Sequence, residues 1–194
     1  MKYRYEPRSL EKERIRLLNQ LYDRPKIDEL VKRYEALGPF RFTGLLSFQM
    51  VVSEQVAQRN LALHWRRVQK KALGTLWNIK DVSPMSGIAV MELASIDPKG
   101  HSSAINPHFH YLINDHASLP REDAEAATLL DNAFKSASTV LKTDGDKPKD
   151  LVASDGSGVR LIDEGFLIYL AKQAGDPEWS WSSRVKVLCP DGYV

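Results

Sequence analysis

Two short segments of this chain carry residues whose types and spacing suit chemistry. The first is Pro107-His108-Phe109-His110-Tyr111-Leu112-Ile113, a His-apolar-His triplet inside an apolar run. In a strand, residues two apart share a face, so His108 and His110 project together while Phe109 and Tyr111 pack the other side. The second is Tyr169-Leu170-Ala171-Lys172. On a helix, residues three apart are neighbours, which puts the Lys172 ammonium beside the Tyr169 phenol, where it can hold a phosphate. A two-imidazole metal site and a phenol with a charge partner are the parts needed to break a nucleic-acid strand by covalent attack.

The chemistry sets what else must be present. A phosphodiester repels nucleophiles, so cutting it needs a cation on the non-bridging oxygens, a positioned nucleophile and a stabilised leaving oxygen. Gly87 to Ser95 reads as a strand, Asp97-Pro98-Lys99-Gly100 has turn chemistry, and Asn106 to Ile113 reads as the return strand. If this hairpin folds about residues 98–102, Glu92 falls opposite His108 or His110 on their even-numbered face and supplies a third ligand. His116 is the alternative third ligand, although Asn114-Asp115 places it past a turn. Two imidazoles and a carboxylate suit Mn²⁺, with Mg²⁺ open through its water shell.

The remaining elements must position these groups. Residues 9–36 show helical spacing of Leu, Ile and Tyr interrupted by Pro25, which predicts two short helices ending near Gly38-Pro39. Phe42 to Phe48 reads as a buried strand. Ser53 to Leu73 predicts an amphipathic helix with Arg59, Arg66, Arg67, Lys70 and Lys71 on its polar face, the surface best suited to binding a DNA backbone, with His64 also at its surface. Pro120 to Leu141 predicts a helix, Lys142 to Gly158 a polar loop, Val159 to Asp163 a strand or helix approach, and Glu164 to Gln173 the helix that carries Tyr169. Trp179 to Val187 alternates like an edge strand with two tryptophans on one face; these could stack on unpaired bases, although core packing is the favoured reading for them as for Trp65 and Trp77.

Composition bounds the setting. The 194 residues, with a formal net charge of +2 and one cysteine, Cys189, suit one well-buried domain without an intrachain disulfide or cysteine-rich zinc site. Charge is uneven: residues 1–80 hold 17 Lys and Arg against 8 Asp and Glu, and residues 81–194 hold 10 against 17. A basic first part attracts polyanions, and an acidic remainder is compatible with a divalent cation. The charged first residues are unlike a secretory signal, and no apolar run nears the ~18 residues of a membrane span, so a soluble cytoplasmic protein is expected.

Three blocks in this order resemble the HUH endonucleases, and among them the single-tyrosine rolling-circle replication initiators of plasmids, phages and small single-stranded DNA viruses. Phe42-Thr43-Gly44-Leu45-Leu46-Ser47-Phe48 is similar to the family's first apolar strand motif, with Gly44 and Leu46 departing from its threonine-rich form. Pro107 to Ile113 is similar to the His-hydrophobe-His motif, and Tyr169 to Lys172 to the tyrosine-x-x-lysine motif. The resemblance spans roughly residues 40–175. It implies an α+β fold, a central antiparallel sheet of about five strands flanked by helices, with residues 1–39 as an N-terminal helical extension and 40–194 as the endonuclease domain. It also implies His108 and His110 as metal ligands, Glu92 as the third, Tyr169 as nucleophile and Lys172 as its helper. The implied activity is metal-dependent nicking of single-stranded or origin-hairpin DNA through a 5′-phosphotyrosine, with strand transfer and a separate helicase as partner. A single-strand transposase of the same superfamily, a His-x-His small-molecule metalloenzyme and a non-catalytic DNA-binding module are the competing readings.

Overall fold

A computed structural model describes residues 24–49, 51–74, 83–96, 102–137, 140–141, 149–150, 158–163, 165–172, 179–189 and 192–193. The first of the two expected N-terminal helices, His101, Trp77 and Asp144, Asp146 and Asp155 lie outside them. Helix α1 (Arg24–Glu35) takes Pro25 in its first turn, where the missing N–H costs no hydrogen bond, and it buries Ile27, Leu30 and Tyr34 along one stripe. Strand β1 (Phe40–Leu46) follows. Helix α2 (Glu54–Ala72) is capped by Ser53, whose hydroxyl accepts the Val56 N–H at 3.3 Å.

Strands β2 (Gly87–Ile96) and β3 (Ser102–Asn114) form the long hairpin, and helix α3 (Asp123–Ser136) comes next. The expected continuation of α3 to residue 141 does not form; Val140–Leu141 (β4) pairs instead with Lys149–Asp150 (β5) as a separate ribbon. Strand β6 (Gly158–Leu161), helix α4 (Phe166–Ala171), helix α5 (Trp181–Arg184), strand β7 (Val185–Cys189) and strand β8 (Gly192–Tyr193) complete the chain. The architecture is α+β: one six-stranded sheet in the order β6-β1-β3-β2-β7-β8, each neighbouring pair antiparallel, the last strand only two residues long.

Alternation along the central strands divides the interior in two. Ala89, Met91, Phe109, Tyr111 and Ile113 face α2 and α3, meeting Leu61, Trp65, Val68, Leu130 and Phe134. Ile88, Val90 and Leu112 face the other way, meeting Ile27, Leu30 and Tyr34 of α1 and Phe166 and Leu170 of α4. The helix inside residues 1–39 thus shares an apolar cluster with the sheet. Gly44 sits where α3 packs close to β1: a Cβ there would stand 3.2 Å from the Phe134 ring, from Val159 and from the Gly158 carbonyl, so these neighbours would have to give by a few tenths of an ångström.

Two expectations are corrected here. His64 is not at the helix surface but fully buried between Tyr111 and the Phe134 carbonyl. The carbonyl only accepts, so Nε2–H donates to it at 3.1 Å and Nδ1 accepts a hydrogen bond from the Tyr111 hydroxyl at 3.2 Å. The tail is not one alternating strand. Ser180 accepts the Ser183 N–H and starts the single turn of α5, so only Val185 onward enters the sheet. Trp181 packs on Tyr34 of α1 with ring centroids 5.4 Å apart.

Candidate metal and nucleophile site

The register of the central hairpin builds the site. Glu92 of β2 stands directly opposite His108 of β3, and His110 is the next residue on the same face. Both imidazoles reach one carboxylate oxygen: His108 Nε2 is 3.0 Å and His110 Nε2 2.9 Å from Glu92 Oε2. One ligand atom from each of the three residues lies within 4.8 Å of the others, close enough to bind a metal ion, and this is the one such cluster among the described residues. His116 is not part of it. Its Nε2 lies 2.7 Å from the Ser83 carbonyl and its Nδ1 accepts the Ser118 N–H, so both ring nitrogens are engaged where the chain leaves β3. Asp163 pairs with Arg160 at 3.5 Å.

The residues around the triad suit a cation. His108 Nδ1 is 3.2 Å from the Asn106 carbonyl, a contact that orients the ring with Nε2 toward the cluster. Asn106 is itself held, its side chain accepting from Val52 N–H at 3.0 Å and donating to the Phe48 carbonyl at 3.3 Å. Burial pulls the His110 imidazole below its ordinary pKa, outweighing the Glu92 carboxylate that raises it, which favours the neutral ligand form. For Glu92, burial pushes the carboxyl up, but the hydrogen bonds from His108 and His110 and the charge of Lys172 hold it well below the usual carboxylate range. The triad thus offers one anionic and two nitrogen donors.

Helix α4 brings the second segment to the same place. Gly165 ends the approach from β6, and Phe166, Leu170 and Ala171 are buried against α1 and the sheet. That packing turns Tyr169 and Lys172 to the triad. The Tyr169 ring lies edge-on to His110 with centroids 5.5 Å apart and stacks on Phe166 at 5.9 Å. Lys172 Nζ sits 3.7 Å from the Tyr169 ring centroid and 3.5 Å from Glu92 Oε1. Its side chain is only 11% exposed, so the ammonium is held by these two partners rather than by bulk water.

Comparison with protein-family models, curated proteins and solved structures returns no match. All five catalytic and metal-ligating candidates, Glu92, His108, His110, Tyr169 and Lys172, come together on one sheet face, although 77 positions separate Glu92 from Tyr169 in the chain. The candidate DNA-binding residues do not join them: Arg59, Arg66, Arg67, Lys70 and Lys71 lie on α2, which covers the opposite face.

Two participants escaped the sequence reading. Phe166, whose ring is 5.8 Å from His110, precedes Tyr169 by one helical turn, a spacing that would have flagged it. Asn106 acts through its backbone carbonyl, which no side-chain pattern reveals.

Proposed function

We propose that this protein is a metal-dependent, tyrosine-nucleophile DNA endonuclease and strand transferase of the HUH type, acting in rolling-circle replication. The observation that carries the reading is the joint one: two imidazoles on a single carboxylate oxygen, with a tyrosine ring against one of those imidazoles and a lysine bridging tyrosine and carboxylate. A small-molecule His-x-His metalloenzyme has no need of the tyrosine and lysine on a separate helix. The proposed ligands are Glu92, His108 and His110, and the proposed metal is Mn²⁺ or Mg²⁺. When bound, such an ion supplies positive charge to the non-bridging oxygens of a phosphodiester.

The protein's own residues do the rest. The Tyr169 phenol oxygen attacks phosphorus and releases its proton to solvent. The bond from phosphorus to the 3′ oxygen breaks, and that oxygen takes up a proton to leave as a free 3′ hydroxyl. The product is a 5′-phosphotyrosine that conserves the bond, so a later 3′ hydroxyl reverses the step and joins strands. The Lys172 ammonium, 3.7 Å from the ring centroid, favours the charge that develops on the phenol oxygen. Stacking on Phe166 and the edge of His110 restricts the Tyr169 ring, which limits the orientation entropy lost on attack.

The test is incubation with end-labelled single-stranded and hairpin DNA pools and Mn²⁺, followed by denaturing electrophoresis and mass spectrometry. A fragment linked through its 5′ phosphate to Tyr169 is the expected product. Tight metal binding without an adduct on any pool would refute the reading and favour a small-molecule metalloenzyme.

A further inference from the structure

We infer that the outer face of α2 is a docking surface for the phosphate backbone of duplex DNA, separated by the sheet from the site where a single strand is cut. The inference rests on the proposed reading only in taking DNA as the substrate.

The helix buries Ala57, Leu61, Trp65 and Val68 against Met91, Phe109 and Tyr111, the face of the hairpin opposite Glu92, His108 and His110. At 100° per residue, Arg59, Leu63, Arg66 and Lys70 fall on the side directly away from that core, and all four are exposed. From Arg59 to Lys70 the stripe runs roughly 16 Å, enough to meet successive phosphates of one backbone. Lys71 is exposed beside it.

Among the described residues, nothing neutralises the charge on this face. Glu54 is the only acidic residue in α2, and its carboxylate accepts from Gln58 at 2.9 Å. Among the described residues, Arg59, Arg66, Lys70 and Lys71 make no ion pair or hydrogen bond to an acidic side chain. Unpaired cations in a row raise the local potential and draw a polyanion.

The surface chemistry distinguishes duplex from single strand. Proteins that hold single strands pair cations with exposed aromatic rings on which bases stack. The one aromatic residue of α2, Trp65, is fully buried, so its outer face offers charge without a stacking platform. The partly exposed rings Tyr169, Trp179 and Trp181 lie instead with the cluster on the triad's face of the sheet. The outer face of α2 thus suits a stacked duplex, whose bases are hidden and whose phosphates are not.

The test measures binding of a random-sequence 20-base-pair duplex and of oligo-dT across a salt series, for the wild type and for R59A/R66A/K70A/K71A, with melting curves to establish that the variant is folded. Duplex affinity is expected to fall at least tenfold, and the slope of log K against log salt to shrink by about 3 to 4, one counterion release for each lost contact. A charge-keeping R59K/R66K variant should retain the slope. An unchanged duplex slope in the quadruple variant overturns the inference, as does an equal loss for oligo-dT, or preferential binding of phosphatidylserine vesicles over duplex. A lost duplex slope without any Tyr169 adduct would leave this surface standing and sink the proposed reaction; an adduct with an unchanged slope would do the reverse.

Discussion

Glu92 is the residue on which the site depends, because three groups, His108, His110 and Lys172, meet at its carboxylate. Replacing it by Gln keeps the size but removes the charge, leaving His108, His110 and Lys172 facing a neutral amide. Glu92→Gln and His108→Ala are each expected to weaken Mn²⁺ binding by at least tenfold, read by titration calorimetry or by the ion's paramagnetic resonance signal; wild-type affinity in both would remove the triad as the metal site. Tyr169→Phe should keep the ring packing against His110 and Phe166 yet give no covalent adduct with DNA, and an adduct that persists in this variant would move the nucleophile elsewhere. His64 gives a prediction about pH. Burial lowers its pKa to about 4 from the ordinary 6.5. The unfolded chain then binds more protons than the folded one between those values, so stability is full above about pH 6.5 and falls as the pH drops toward 4, by roughly 3 kcal/mol. His64→Gln should lose that part of the acid sensitivity in denaturant melts at pH 7.5 and 4.5, and an unchanged pH difference would contradict the buried neutral imidazole.

At the scale of elements, the hairpin of β2 and β3 matters most, since its register sets Glu92 against His108. Close backbone approach at its base depends on Gly87, where an added Cβ would lie 2.2 Å from the Leu112 carbonyl oxygen. Gly87→Ala must shift one strand, at a cost of about 1–3 kcal/mol, and weaken metal binding through the displaced register. Thermal melting together with Mn²⁺ titration checks both effects. Elsewhere, Arg41 ties β1 to the chain between β3 and α3, bonding Asp115 at 2.6 Å, Asp123 at 2.8 Å and the Arg121 carbonyl at 2.8 Å. These contacts brace the end of β1 remote from the triad. Helix α4 is only six residues long, too short to be stable alone, so the position of Tyr169 is owed to the burial of Phe166, Leu170 and Ala171.

Over the whole molecule, the sheet is a partition. Its α1 and α4 side holds the triad and the partly exposed aromatic rings, its α2 and α3 side the basic helix face, and no helix among the described residues is long and apolar enough to cross a membrane. Because a metal at the triad ties β2 to β3, it should stabilise the folded state by mass action, about 2.7 kcal/mol at a concentration one hundred times Kd. Mn²⁺ should therefore raise the melting temperature of the wild type and leave that of His108→Ala unmoved; equal shifts would place the ion elsewhere. Much of this was legible in the residues. Alternation of period two put His108 and His110 on one face, an expected hairpin about residues 98–102 set Glu92 opposite one of them, and a three-residue step paired Tyr169 with Lys172, all of them local rules of backbone geometry. The short-range signals failed where packing or capping competed with pattern: His64 looked like a surface residue because its partners, Tyr111 and the Phe134 carbonyl, lie 47 and 70 positions away. The sequence determined which residues share a face of each element. Only the tertiary structure decided which elements face one another, bringing α4 onto the triad and setting α2 across the sheet from it, because that choice follows from how the whole apolar surface is buried at once.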